Sequence, residues 1–102
     1  MIISNVQTGD ICKIKLDGAL LIDAVAKTKD AVTAALGRNG TVELDVSDVC
    51  DCDTAGAQLL LMLRAEARVR GRAFTMTPLS PPALRSAERI GLVADAFAIK
   101  GS

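Results

Sequence analysis

The densest group of reactive side chains in this chain runs from Ser47 to Thr54, where Asp48, Cys50, Asp51 and Cys52 lead into the turn Asp53-Thr54-Ala55-Gly56. A hydroxyl beside carboxylates suits two kinds of chemistry. One is helix capping, in which a Ser, Thr or Asp oxygen accepts a hydrogen bond from the free amides of a first helical turn. The other is acceptance of a phosphoryl group. A phosphate on Thr54 would meet those same amides and the positive end of the helix dipole. It would also add about −1.5 to −2 charge to a segment already holding Asp48, Asp51 and Asp53. The helix end tolerates such a group, while the carboxylates and any acidic or apolar partner repel it, so the expected result is an unchanged fold and lost binding. Spacing alone leaves capping and switching both open.

Catalytic and metal chemistry fare worse. Cys50 and Cys52 form a lone Cys-x-Cys, the chain has three cysteines, and it has no histidine. A structural zinc site would lack ligands, and a thiol or hydroxyl nucleophile would lack the ordinary imidazole base. Neither a phosphate-cradling glycine loop nor a dinucleotide fingerprint is present. The expectation is a protein without catalytic residues, metal or cofactor. Cys12 falls at an inward strand position, which fits reduced thiols in a reducing, cytoplasmic compartment.

Composition narrows the partner. The 102 residues are 50% hydrophobic, built from Ala, Leu, Val and Ile with two Phe and no Tyr or Trp. That suits one aliphatic core in a single domain spanning 1–102, and it removes the aromatic platform on which nucleobases stack. Net charge is zero, with basic residues scattered in ones and twos, so no phosphate-neutralising footprint for nucleic acid emerges. No apolar run approaches the ~20 residues of a membrane span, and the N-terminus lacks the pattern of a signal peptide. Charge is divided along the chain: residues 1–53 hold nine acidic against five basic side chains, and residues 54–102 hold three against seven. The sign changes at Thr54.

Several elements must position that turn. Cys12, Ile14 and Leu16 alternate with Lys13, Lys15 and Asp17, a period of two that predicts a strand ended by Gly18, with Met1 to Gln7 as its hairpin partner across Thr8-Gly9-Asp10. From Asp23 the apolar positions Ala24, Val25, Thr28, Ala31, Val32, Ala35 and Leu36 recur at three and four residues, predicting an amphipathic helix stopped by Gly37 to Gly40. Val42, Leu44 and Val46 predict a strand that feeds an acidic loop, Ser47 to Asp53. A helix from Asp53 or Thr54 closes at Gly71, a strand holds Phe74 and Met76, and Pro81-Pro82 opens a last helix with Leu84, Ala87 and Ile90 buried and Gly91 as its C-cap. The order β-β-α-β-α-β-α predicts an α/β fold, a mixed, mostly parallel sheet of four to five strands covered by three or four helices.

On a helical wheel for Thr54 to Arg70, the residues Gly56, Leu59, Leu60, Leu63 and Ala67 cluster toward the sheet. Thr54, Ala57, Leu61, Arg64 and Arg68 line the opposite side. The run Leu59 to Leu63 is apolar all round, so Leu61 or Met62 is expected to stay partly exposed. Gly56 costs about 1 kcal/mol relative to alanine inside a helix, which reads as a demand for backbone access. Together these describe a low docking platform at the helix start, and the exposed leucines leave homodimerisation open.

The pattern resembles the STAS domain, the family of bacterial anti-sigma factor antagonists. The resemblance rests on the strand end Asp45-Val46-Ser47, the acidic segment, Asp53-Thr54-Ala55-Gly56 before a leucine-rich helix, Gly71 before a strand, and Ile90-Gly91-Leu92 leading to Phe97 and Ile99. It implies a non-catalytic regulatory module whose Thr54 is phosphorylated by a serine/threonine kinase-type anti-sigma factor, with Asp53, Ala55 and Gly56 as its neighbours. Asp23, Asp51, Ala57, Leu61, Arg64 and Arg68 are then the expected partner-facing residues. Two positions depart from the family pattern: Thr54 stands where Ser is commoner, and Leu21 follows Gly18-Ala19-Leu20 where an acidic residue is usual. The Thr-Ala-Gly turn also resembles the STAS subunit of phospholipid-transport ABC systems, so a constitutive subunit bound to a transporter ATPase, or a part of a chemosensory complex, is the alternative.

Overall fold

The computed structural model describes residues 1–38 and 40–89, so the expected roles of Ile90, Gly91, Leu92, Phe97 and Ile99 lie outside the described residues. In chain order the elements are β1 (Ile2–Thr8), β2 (Ile11–Leu20), α1 (Ile22–Leu36), β3 (Thr41–Cys52), α2 (Thr54–Val69), β4 (Phe74–Met76) and α3 (Pro81–Arg89). The strands form one sheet in the order β1-β2-β3-β4. β1 and β2 are an antiparallel hairpin closed by the two-residue turn Gly9-Asp10, whereas β2 with β3 and β3 with β4 are parallel. This is the mixed α/β sheet expected from the alternation of periods.

One face of the sheet carries Cys12, Ile14, Leu16, Val42, Leu44 and Val46, all buried. The alternate positions Lys13, Lys15, Glu43 and Asp45 remain exposed or half-buried. The three helices among the described residues therefore have one apolar face to cover, and the buried residues Ala24, Val32, Leu36, Leu59, Leu60, Leu63, Ala83 and Ala87 complete the same core. At ~25 cal/mol per Å² of buried apolar surface, this aliphatic interior is the main source of stability. On the polar face Lys15 pairs with Asp48 at 2.9 Å, an exposed contact that raises the lysine pKa through its hydrogen bond and charge and adds little stability.

The acidic segment is not a loop. It is the C-terminal half of β3, paired with β2 as far as Leu20↔Cys52 through two register shifts, between Lys15 and Asp17 and between Gly18 and Ala19. Each shift inserts one extra residue into β3, so inward side chains come at Val46, Val49 and Cys52 rather than at every second position, and Ser47-Asp48 and Cys50-Asp51 emerge as exposed pairs. Bulges of this kind bend and re-aim a strand. At the first one the Asp45 carboxylate accepts from the Ser47 hydroxyl at 2.6 Å and the Ser47 amide at 3.0 Å, and these bonds hold the Asp45 pKa below its ordinary value. The bent strand delivers Asp53 to the edge of the helical layer.

Candidate functional site

Asp53 is the N-cap of α2. Its Oδ1 accepts from the Gly56 amide at 2.8 Å, and its backbone carbonyl accepts from the Ala57 amide at 3.0 Å. The second carboxylate oxygen reaches across to α1, where Oδ2 accepts from the Ile22 amide at 2.9 Å. Helix α1 needs this, because its own N-cap is Leu21, which has no side-chain oxygen to offer. One carboxylate therefore caps two helices, and it aligns their N-termini side by side.

That arrangement shows which of the two residues does the capping. Capping belongs to Asp53, and Thr54 stands at the first helical position with an exposed side chain. The Thr54 and Ala55 amides are early donors for which a helix offers no internal acceptor. A hydroxyl at this place is accessible to a modifying enzyme, and a phosphate formed on it would find helix-terminal amides beside it.

Gly56 is buried, and its role differs from the access expected of it. A Cβ built on Gly56 would lie 2.3 Å from the Leu20 carbonyl oxygen, 3.0 Å from Cys52 Sγ and 3.1 Å from Leu20 Cγ. The first α2 turn is pressed onto the ends of β2 and β3, and glycine is what allows the approach. Gly56→Ala is expected to destabilise the fold by about 1–2 kcal/mol, since a contact this close to backbone puts the overpacking cost in the upper part of its range, about 2–3 kcal/mol, against a ~1 kcal/mol gain in helix propensity. Chemical denaturation of the two proteins side by side measures it.

The row of partner-facing residues read from the wheel divides. Ala57 is 1% exposed and belongs to the core, so it cannot be part of an accessible platform. Leu61 is half-buried and packs against the core. Arg64 and Arg68 lie about 15 and 21 Å from Thr54 along the helix axis at 1.5 Å per residue, in a separate cleft with Arg72 and Phe74. Asp23, in the first turn of α1 and next to the Ile22 that bonds to Asp53, and Asp51, two residues before Asp53, are both exposed. The wheel fails because α2 packs against α1, α3, β3 and β4 together, which buries a wider arc than one sheet would.

What lies beside Thr54 is a groove between α1 and α2, of about 380 Å³, lined by Ile22, Val25 and Lys29 on one wall and Ala55, Gln58 and Met62 on the other, with Leu59 between. Ile22 is 67% exposed and Met62 38%, both large apolar side chains. The expectation that Leu61 or Met62 stays exposed is met by Met62. Periodicity does not single out Ile22, Val25 or Gln58 as site residues, although Ile22 carries a readable signal: it is a bulky apolar residue off the buried stripe Ala24, Thr28, Val32 and Ala35. Apolar residues in a patch of this kind mark docking surfaces.

The thiols take no part in the groove. Cys50 is exposed, and Cys52 is buried beneath α2. Desolvation, with the Asp53 and Asp51 charges adding to it, pushes the Cys52 thiol from 9.0 up to about 11. At pH 8 only about one Cys52 in a thousand is ionised, and the thiolate is the reactive form. Iodoacetamide at that pH is expected to label Cys50 at least about 100-fold faster than Cys52 in the folded chain, with the rates converging in denaturant; peptide mass spectra taken over time read both sites.

Residues 3–95 match the family model described as Mlab, STAS domain. Among solved structures, a single-substitution variant of RsbS from Moorella thermoacetica superposes with a TM-score of 0.75 at 16% identity, covering 94% of this chain and 83% of that one. The anti-sigma factor antagonist SpoIIAA in its unphosphorylated form gives 0.68 at 19%, covering 89% and 82%, and the phosphorylated form of the Bacillus protein gives 0.68 at 20%, covering 89% and 85%. Mglu gives 0.63 at 23%, but there the match takes in 72% of this chain and only 18% of the longer one. No curated protein matches the sequence. Among the described residues no helix is long and apolar enough to cross a membrane.

Proposed function

The chain belongs to the STAS domain family, and on that footing we propose that it is a non-catalytic regulatory module of the anti-sigma factor antagonist type, binding a protein partner in the α1–α2 groove and switched by phosphorylation of Thr54. The observation that carries the reading is the exposed Thr54 hydroxyl, relieved of capping by Asp53 and one residue from the groove wall at Ala55. SpoIIAA, which shares the fold, is an anti-sigma factor antagonist with solved unphosphorylated and phosphorylated forms, and this supports the switch. The expected partner is a serine/threonine kinase-type anti-sigma factor that lays an apolar segment against Ile22 and Met62. A phosphate at Thr54 would place about two negative charges at the edge of that contact and remove an apolar partner.

A second reading is a constitutive subunit held by a transporter ATPase, and Leu21 favours it. Where the switch pattern expects a carboxylate, Leu21 adds apolar character at the start of α1, next to the exposed Ile22. The two readings divide on one experiment. The chain is incubated with ATP and each Ser/Thr kinase encoded beside its gene, and intact mass is recorded. One added phosphate, absent in Thr54→Ala, supports the switch; binding to an ATPase subunit with no phosphate on Thr54 under any kinase supports the constitutive subunit.

A further inference from the structure

The far end of α2 gathers three arginines around one cleft. The helix closes at Arg70, and the chain turns back through Gly71, whose φ is +65°. The Arg72 amide donates to the Ala67 carbonyl at 2.9 Å and the Gly71 amide to the Arg68 carbonyl at 3.0 Å. This pair of bonds is the Schellman closure of a helix, which wants a left-handed residue at its turn. Its consequence is positional: Arg72 is folded back onto the last turns of α2, beside Arg68 and Arg64.

Arg64, Arg68 and Arg72 line a cleft of about 180 Å³ with Ala67 and Phe74, and among the described residues no acidic side chain lines it. Nη1 of Arg64 and both Nε and Nη2 of Arg72 are buried and make no hydrogen bond among the described residues. Arg70, one residue away from this turn, shows the contrast, since its Nε donates to Glu66 Oε2 at 2.7 Å. A buried donor on a charged group that lacks an acceptor is expensive, and three guanidinium groups around one cleft repel one another. Both costs vanish when an anion with several acceptor oxygens enters.

We propose that the Arg64-Arg68-Arg72 cleft binds a phosphate monoester group, free or carried on a headgroup. Guanidinium forks match tetrahedral phosphate oxygens with paired hydrogen bonds, and three of them supply enough charge for a dianion. The cleft is smaller than the roughly 300–1,000 Å³ of pockets that enclose drug-sized ligands, so it takes the phosphate and little else, with the Phe74 ring as one wall. This site is separate from the α1–α2 groove and does not depend on the function proposed for it.

The test uses the full chain and inorganic phosphate at constant ionic strength, followed by the side-chain Nε–H signals of the arginines in nitrogen-15 spectra. Saturable shifts are expected at Arg64, Arg68 and Arg72 and not at Arg85, which is exposed on α3. Arg68→Gln, at an exposed position that leaves folding intact, is expected to weaken binding about tenfold or more, while Thr54→Glu leaves it unchanged. Phosphatidylcholine vesicles with and without phosphatidic acid form the second arm. Sedimentation with the phosphatidic acid vesicles alone, lost in Arg68→Gln, assigns the phosphate to a headgroup; saturation by soluble phosphate without sedimentation assigns it to a free ester. Shifts that are linear and equal to those given by chloride, with no vesicle binding, overturn the proposal, as does Arg68→Gln binding phosphate as tightly as the unmodified chain.

Discussion

Asp53→Ala is expected to destabilise the protein by about 2–4 kcal/mol and to lower Tm by roughly 8–30 °C. The carboxylate accepts from Gly56 at 2.8 Å and from Ile22 at 2.9 Å, and losing an N-cap typically costs ~1 kcal/mol with hydrogen bonds to charged groups reaching about 1.5–3 kcal/mol. Alanine leaves two helices uncapped at once, because Leu21 offers α1 no substitute. For a domain of this size each kcal/mol moves Tm by about 4–8 °C. Asp53→Asn separates the two bonds: one amide oxygen can serve one of the two amides, so the loss is expected to be near half. Thermal unfolding followed by circular dichroism compares the three proteins, and equal stability of Asp53→Ala and the unmodified chain contradicts the double cap.

The second large effect is on binding. Thr54→Glu places a carboxylate at the first position of α2, where negative charge favours the helix by about 0.3–1 kcal/mol, so stability stays level or rises slightly. Partner affinity is expected to fall by about 100-fold, roughly 2.7 kcal/mol, because the charge sits beside an apolar contact and joins the nearby Asp51 and Asp53. Thr54→Val removes the hydroxyl without charge and is expected to keep binding while losing all phosphorylation. The pair of outcomes, stable fold and lost binding in one variant and retained binding in the other, separates a switch from a structural residue. Calorimetric titration with the captured partner reads the affinities.

Much of this architecture is legible in the sequence because the chain is aliphatic and its periods are clean. Cys12-Ile14-Leu16 and Val42-Leu44-Val46 declare strands, and the three-and-four spacing from Ala24 to Leu36 declares α1. The segment from Ser47 to Cys52 reads as a loop because two bulges turn its inward spacing from two residues into three, a pattern that looks like neither strand nor helix. Gly56 stands out for a sound reason, its cost inside a helix, but the cause is the Leu20 carbonyl, which is 36 positions away in sequence and is brought close only by the fold. The same holds for the groove. Its walls come from Ile22 to Lys29 and Ala55 to Met62, and the packing of both helices on one sheet face, with the Asp53 bridge between their N-termini, sets them side by side. A wheel puts Ala57 on the wrong side because it shows angles and not how many neighbours a helix has.

The central claim, that the Thr54 end of the α1–α2 groove is where a protein partner docks and is switched, is tested most directly by position-specific crosslinking in native lysate. A photoreactive residue is placed at Ile22 in the groove and, separately, at the exposed Val6 on edge strand β1, each in the otherwise unmodified chain and again in the Thr54→Glu background. The predicted result is one abundant protein adduct at Ile22 in the chain that keeps Thr54, lost in the Thr54→Glu background, and none above background at Val6. An Ile22 adduct of equal yield with Thr54→Glu, or capture of the same protein through Val6 alone, would contradict it.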